Sequence, residues 1–208
     1  MKIDLHVHSY ERSGCAISSE KDQIEAAIAK GLDGIAFTDH ASQRSKFHID
    51  LLNEKYAPFK IFTGVEVEAY DAGEHILVLG VPDMEKACEY HWTYPELYTF
   101  VRERDGYMAM AHLYRYVNYV QSDVYQYVPD ALEAYSANIN ARNTPAIQAL
   151  ADELGVKTIV TSDAHSTKQV GMYYVELHKK VQTDAELVQE LINGRYESII
   201  PRGRKRII

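Results

Sequence analysis

The chain has little of what small rigid scaffolds and zinc ribbons are made from. Only Cys15 and Cys88 occur in 208 residues, and no Cys-x-x-Cys is present. That excludes a four-cysteine metal ribbon and a disulfide framework. The six prolines and eleven glycines form no run, so no linker or low-complexity stretch is visible, and residues 1–208 read as one domain. No apolar stretch reaches the length a bilayer needs, and the amino terminus lacks the basic-then-apolar order of an export signal. No membrane partner is expected, and the cytoplasm is the default location. Positive charge is also scarce: 22 Lys and Arg against 30 Asp and Glu give a formal net charge of -8. Such a chain is not an electrostatic trap for long nucleic acid, although an acidic site becomes locally positive once it holds cations.

What is present is hydrophobic periodicity. Residues 2–7 alternate apolar and polar and predict a first strand. Ser19 caps a predicted helix running to about Lys30, with Gly31 just past its end. Further strands are predicted at 34–38, 61–67, 76–79, 107–111 and 131–135, then a helix over 143–154 and strands at 157–161 and 173–177. Thr183-x-x-Glu186 is a capping box opening a last helix that turns Leu187, Val188, Leu191 and Ile192 inward. Repeated strand–helix units predict an α/β fold with mostly parallel strands.

Histidine and acid residues recur at the ends of these strands. They stand in Asp4-Leu5-His6-Val7-His8, Thr38-Asp39-His40, Gly64-Val65-Glu66 followed by His75, then His112, and Ser162-Asp163-Ala164-His165. Strand alternation puts Asp4, His6 and His8 on one face with Ile3, Leu5 and Val7 behind, pairs Glu66 with Glu68, and pairs Asp163 with His165. One His-x-His means little, since nine histidines in 208 residues supply about 0.4 such pairs by chance. The combination carries the weight. Imidazole and carboxylate suit Zn²⁺, Mn²⁺ and Fe²⁺, and at least eight candidates exceed what one four-coordinate ion uses. Two or three divalent ions sharing a bridging carboxylate account for them. Ligands at five or more strand ends also favour a closed or nearly closed barrel, whose strand ends converge on one mouth.

These motifs, in this order, resemble the PHP (polymerase and histidinol phosphatase) domain family over nearly the whole chain. The residues 4–9, Thr38-Asp39-His40, Gly64-Val65-Glu66 with His75-Ile76-Leu77-Val78-Leu79-Gly80, Ala111-His112 and Ser162-Asp163-Ala164-His165 carry the resemblance. Residues 131–133 and 138–143 resemble the family's strand and following loop. Leu113 replaces the proline of the usual His-Pro pair. The resemblance implies a distorted (β/α)7 barrel with a metal cluster at its C-terminal mouth. It implies that His6, His8, Glu66 and Asp163 hold one metal, that Glu66 bridges to a second held by His75 and His112, and that His40 and His165 serve a third site, or the second where only two are present. Where relatives often supply an Asp or His, this chain has Ser13 and Gly14. Glu11 or Cys15 is expected to fill that slot, with Glu11 favoured as the harder ligand.

The resemblance further implies a metal-dependent phosphoesterase in which ion-activated solvent attacks a phosphoryl group. A small phosphomonoester is the expected substrate. The alternatives are a phosphodiesterase or 3'–5' exonuclease-like activity on nucleotides or oligonucleotides, and a metal-dependent binding module without turnover. Asp39 or a non-ligating histidine is expected to protonate the leaving group. Arg115 and Arg142 are expected to grip phosphate bidentately, and Lys168 to be a surface charge. The tyrosines crowding 114–127 fit a lid, a stacking wall for a base or sugar, a packed loop or a subunit contact, so an oligomer stays open. The basic run at 201–206 reads as a solvated tail, the alternatives being contact with a neighbouring subunit's mouth or with a nucleic acid.

Overall fold

The computed structural model describes residues 1–40, 42–71, 73–82, 84 and 89–200. Cys88 and the basic run at 201–206 lie outside the described residues. Among the described residues nine strands form one sheet: β1 (Lys2–Val7), β2 (Gly34–Phe37), β3 (Lys60–Ala69), β4 (Glu74–Leu79), β5 (Tyr107–Met110), β6 (Ala131–Tyr135), β7 (Lys157–Val160), β8 (Tyr174–Leu177) and β9 (Tyr196–Ile199). The described helices are α1 (Glu20–Ala29), α2 (Lys46–Lys55), α3 (Tyr94–Arg102), the single turn α4 (Asp123–Gln126), α5 (Thr144–Leu154) and α6 (Asp184–Ile192). Their starts follow local chemistry. Ser19, Ser45, Thr93 and Thr183 each accept a backbone N–H of the first turn.

The strand order is β7-β6-β5-β4-β3-β2-β1-β8-β9. The sheet is a nearly closed barrel, because Val7 makes a parallel bridge with Ala164 beyond the end of β7. His8 N–H donates to Ala164 O (2.9 Å) and Ala164 N–H to His6 O (3.1 Å). The β8–β9 pair continues from β1, and Ser198 Oγ donates to Thr158 O at 3.2 Å, tying β9 to β7.

Two expectations are corrected. The strands are not mostly parallel: β1–β2, β2–β3, β5–β6 and β6–β7 are parallel, but β3–β4, β4–β5, β1–β8 and β8–β9 are antiparallel. The link from Ala69 to Glu74 is too short for a crossover, so β4 folds back on β3. This reversal places the start of β4, with His75, at the same rim as the ends of its neighbours. Second, Asp4 does not share a face with His6 and His8. The register of β1 against β2 shifts between Asp4 and Val7, so a bulge exchanges the two faces. Ile3 and Leu5 pack with Leu77, Tyr107 and Ala109 inside the barrel, whereas Val7 packs with Ile24 and Phe37 beneath α1. Asp4 instead accepts the N–H groups of Ser162 (2.9 Å) and Gly171 (2.8 Å).

Candidate metal centre

After the bulge, His6 and His8 project into the barrel mouth, where Glu66 of β3 and Asp163 beyond β7 meet them. His6 Nε2 lies 3.0 Å from His8 Nε2, 3.2 Å from Glu66 Oε2 and 3.3 Å from Asp163 Oδ1. His8 Nε2 lies 3.2 Å from Glu66 Oε2 and 3.3 Å from Asp163 Oδ1. All four residues are buried.

The hydrogen bonds behind the rings show which atoms carry protons. His6 Nδ1 faces Glu133 Oε1 at 3.0 Å, and a carboxylate only accepts, so this nitrogen bears the hydrogen. His8 Nδ1 faces Ser13 Oγ at 3.2 Å, whose own hydrogen goes to Asp39 Oδ1 at 2.8 Å. The His8 proton therefore also sits on Nδ1. In the neutral rings both Nε2 atoms are lone pairs, aimed at each other and at two carboxylate oxygens. Asp163 Oδ1 is buried without a hydrogen-bond partner. Four acceptors converging on one buried point repel one another unless a cation lies between them. Ligand bonds of 2.0–2.2 Å in a tetrahedron put donor atoms about 3.3–3.6 Å apart, within a few tenths of an ångström of the spacing found. The donor set fits a divalent ion.

A proton competes for the same volume. Burial alone would lower the pKa of His6, but the charges of Asp163, Glu66 and Glu133 outweigh it and hold the ring well above the usual imidazole value. For Glu66 and Asp163 burial opposes ionisation, yet the His6 charge and the bonds from neighbouring histidines keep both carboxyls far below their ordinary range.

Glu66 reaches a second group of donors. Its Oε1 lies 2.9 Å from His75 Nδ1 and 2.9 Å from His112 Nε2, while Oε2 lies 3.3 Å from His40 Nδ1. One carboxylate thus presents an oxygen to each lobe, as a bridging ligand must. The donor atoms of His40, Glu66 and His75 lie close enough to share an ion, as do those of His8, His40 and His165. The His8 ring is stacked between His40 (4.7 Å) and His165 (4.5 Å). Burial drives His40 down to about 4 despite the Glu66 charge, and burial with the neighbouring imidazoles lowers His165. Both are neutral near pH 7, the form that coordinates metal. Six of the nine histidines thus gather at one rim.

Three groups outside the expected ligand set hold these side chains in place. Glu133 is buried, bonding His6 Nδ1 with one oxygen and the His112 N–H (2.8 Å) with the other; Thr161 Oγ1 also donates to it. Asn138 Nδ2 donates to Asp163 Oδ2 at 2.5 Å. Arg44 is buried between Asp39 and Glu20. His112 (φ 30°) and Asp163 (φ 48°) both adopt left-handed backbone, a strained conformation that such bonds sustain. Residues 131–133 and 138–143 carried the resemblance, but an isolated Glu or Asn has no periodicity that reveals its partner.

Other expected residues lie elsewhere. Asp39 sits behind the ligands, not beside a substrate: Oδ1 accepts Ser9 N–H (2.7 Å) and Ser13 Oγ, and Oδ2 accepts Arg44. Buried and engaged by these three donors, it is not placed to reach a substrate, which is at odds with its expected role as acid. Glu11 is exposed and caps α1, its two oxygens accepting Glu20 N–H at 3.1 and 3.0 Å; it joins none of the ligand groups among the described residues. Cys15 is exposed and free, and desolvation with the charges of Glu66, Asp163 and Asp39 raises its thiol pKa. Glu68 is exposed and does not accompany Glu66. Arg115 is well placed, its Nη1 3.7 Å from Asp163 Oδ2 and its guanidinium 5.0 Å above the Tyr116 ring. Arg142 is exposed, with its backbone N–H bonded to Asn140 Oδ1 (3.1 Å), and among the described residues no bond ties its guanidinium to the cluster. Lys168 is a surface residue.

The family model for the PHP domain matches residues 4–193. Among solved structures, PsfC from Pseudomonas syringae PB-5123 is similar at a TM-score of 0.67 and 22% identity, covering 97% of this chain and 91% of that one. A protein of Bifidobacterium adolescentis provisionally named a metal-dependent phosphoesterase gives 0.64 and 14%, with 92% and 95% covered. An amidohydrolase from Chromobacterium violaceum, solved with sulfate bound, gives 0.62 and 15%, with 95% and 98% covered. At these identities the likeness is one of fold. No curated protein matches the sequence.

Proposed function

The chain belongs to the PHP domain family, and we propose that it is a metal-dependent phosphoesterase acting on a small phosphomonoester. The observation that carries this reading is the convergence of four donor atoms, with His6 Nε2 and His8 Nε2 3.0 Å apart and each within 3.3 Å of Glu66 Oε2 and Asp163 Oδ1, and with the other Glu66 oxygen turned to His75 and His112. Divalent ions held there would supply a lowered pKa for solvent and positive charge opposite phosphoryl oxygens. Glu133 and Ser13 keep His6 and His8 in the tautomer that offers Nε2. Asn138 fixes Asp163, and Arg115 presents guanidinium N–H groups beside the cluster for a phosphoryl oxygen. The fold shared with a protein named for phosphoesterase activity, and with one that bound the tetrahedral dianion sulfate, supports the same direction.

The test is turnover by protein reconstituted with Zn²⁺, Mn²⁺ or Fe²⁺ on p-nitrophenyl phosphate, bis-p-nitrophenyl phosphate, a short oligonucleotide and an N-acyl amide. Monoester turnover lost in His6→Ala and Asp163→Ala supports the proposal. Preference for the diester or oligonucleotide replaces it with phosphodiester hydrolysis, and preference for the amide with C–N hydrolysis. Inertness with every metal makes the protein a binding module.

A further inference from the structure

The chain after β5 is built to hold one aromatic ring over the donor cluster. Following the left-handed His112, Tyr114 is also left-handed (φ 63°). Its N–H donates to Glu74 Oε1 at 2.9 Å, and its carbonyl accepts Asn143 Nδ2 at 3.1 Å. A closing Arg115 N–H to His112 O bond (3.2 Å) completes a tight turn. A non-glycine residue does not take this backbone without return. The result is that Tyr116 lies against two metal-ligand imidazoles, its ring 5.3 Å from His75 and, edge-on, 5.7 Å from His112. Arg115 spans from Asp163 to the same ring. Yet 54% of Tyr116 remains exposed.

We infer that Tyr116 is a specificity-determining residue, a platform on which a planar ring in the substrate's leaving group stacks while Arg115 and the cluster hold its phosphoryl group. The inference rests on the phosphomonoester reading and narrows it to esters of alcohols carrying an aromatic ring. Two features support it. The ring is pinned by the imidazoles and by the propped turn, so little freedom is lost on stacking. It also stands next to Arg115, whose guanidinium lies 5.0 Å from the ring and 3.7 Å from Asp163 Oδ2.

The test compares benzyl phosphate with cyclohexylmethyl phosphate, which have similar leaving-group basicity and size but differ in planarity. Equilibrium binding of benzylphosphonate and cyclohexylmethylphosphonate to the metal-loaded protein is measured alongside hydrolysis. Aromatic stacking predicts a three- to tenfold preference for the benzyl compound, carried by KM and by phosphonate affinity rather than kcat. Tyr116→Phe keeps that preference. Tyr116→Leu abolishes it, as does Tyr116→Ala, at unchanged metal content and thermal midpoint. Equal handling of the two compounds by the wild type, or a preference that survives in Tyr116→Leu, overturns the inference while ester hydrolysis stands. Absence of hydrolysis with a phosphonate preference lost in Tyr116→Leu overturns the proposed reaction and retains the platform.

Discussion

At the scale of single residues, the site depends on where protons are excluded. Glu133 holds the hydrogen of His6 on Nδ1 and also steadies the His112 backbone, so it serves both lobes without touching an ion. Carboxylates in this relation to ligand histidines affect metal affinity ten- to a hundredfold. Glu133→Gln is expected to weaken metal binding by about that factor in a chelator competition, with a smaller effect on the fold. The raised pKa of His6 gives a second expectation. Below that pKa the ring must lose a proton to bind, so affinity rises with pH, by about tenfold per unit for each proton released. A titration between pH 6 and 8 checks it; pH-independent affinity would show that no proton is displaced. The residues that gather at the rim were legible in the sequence because each stands near one end of a strand, beside an apolar run. Asp39 and Glu11 were misjudged because sequence shows that an acid is near a motif, but not that Arg44 or the N-terminus of α1 already occupies it.

At the scale of elements, two local departures build the mouth. The bulge in β1 lets Ile3 and Leu5 fill the barrel below while His6 and His8 face the same interior above. Uniform alternation cannot place both, which is why the side of Asp4 was misread. The reversed β4 brings His75 to the rim from the start of a strand instead of its end. Its far end is sealed by Gly80 (φ 72°), where a Cβ would come 2.4 Å from Val188 Cγ2 of α6. Gly80→Ala combines an unfavourable backbone with overpacking and is expected to cost about 2–4 kcal/mol, read from urea denaturation. Strands β1 and β6 have the bounds expected from alternation, whereas α2, α3 and β9 were not foreseen. Their capping residues, Ser45 and the Thr93–Glu96 box, were readable. Short amphipathic segments beside other turn residues offer weaker periodicity than the buried strands.

At the scale of the whole molecule, closing the barrel costs buried charge. Desolvation pushes Glu74, at the rim, up to about 7 despite its bond from Tyr114 N–H and the charges of His112 and Arg115. The unfolded carboxyl ionises near its usual value of 4.5, so between there and about pH 7 the folded chain holds the extra proton. Stability must therefore fall as pH rises through that window. The difference in unfolding free energy between the metal-free wild type and Glu74→Gln, which can still accept from Tyr114, is expected to shift against the wild type by about 3 kcal/mol at most from pH 4.5 to 8. A constant difference would contradict it. Cations act the other way, since ligands that bind only the folded chain raise its stability. The measurement that bears most directly on the whole account is the divalent metal content per chain after reconstitution and removal of excess ion. Two or three ions in the wild type, falling below one in Glu66→Gln, are the predicted values. Fewer than one in the wild type, or no change on losing Glu66, would contradict a shared multinuclear centre.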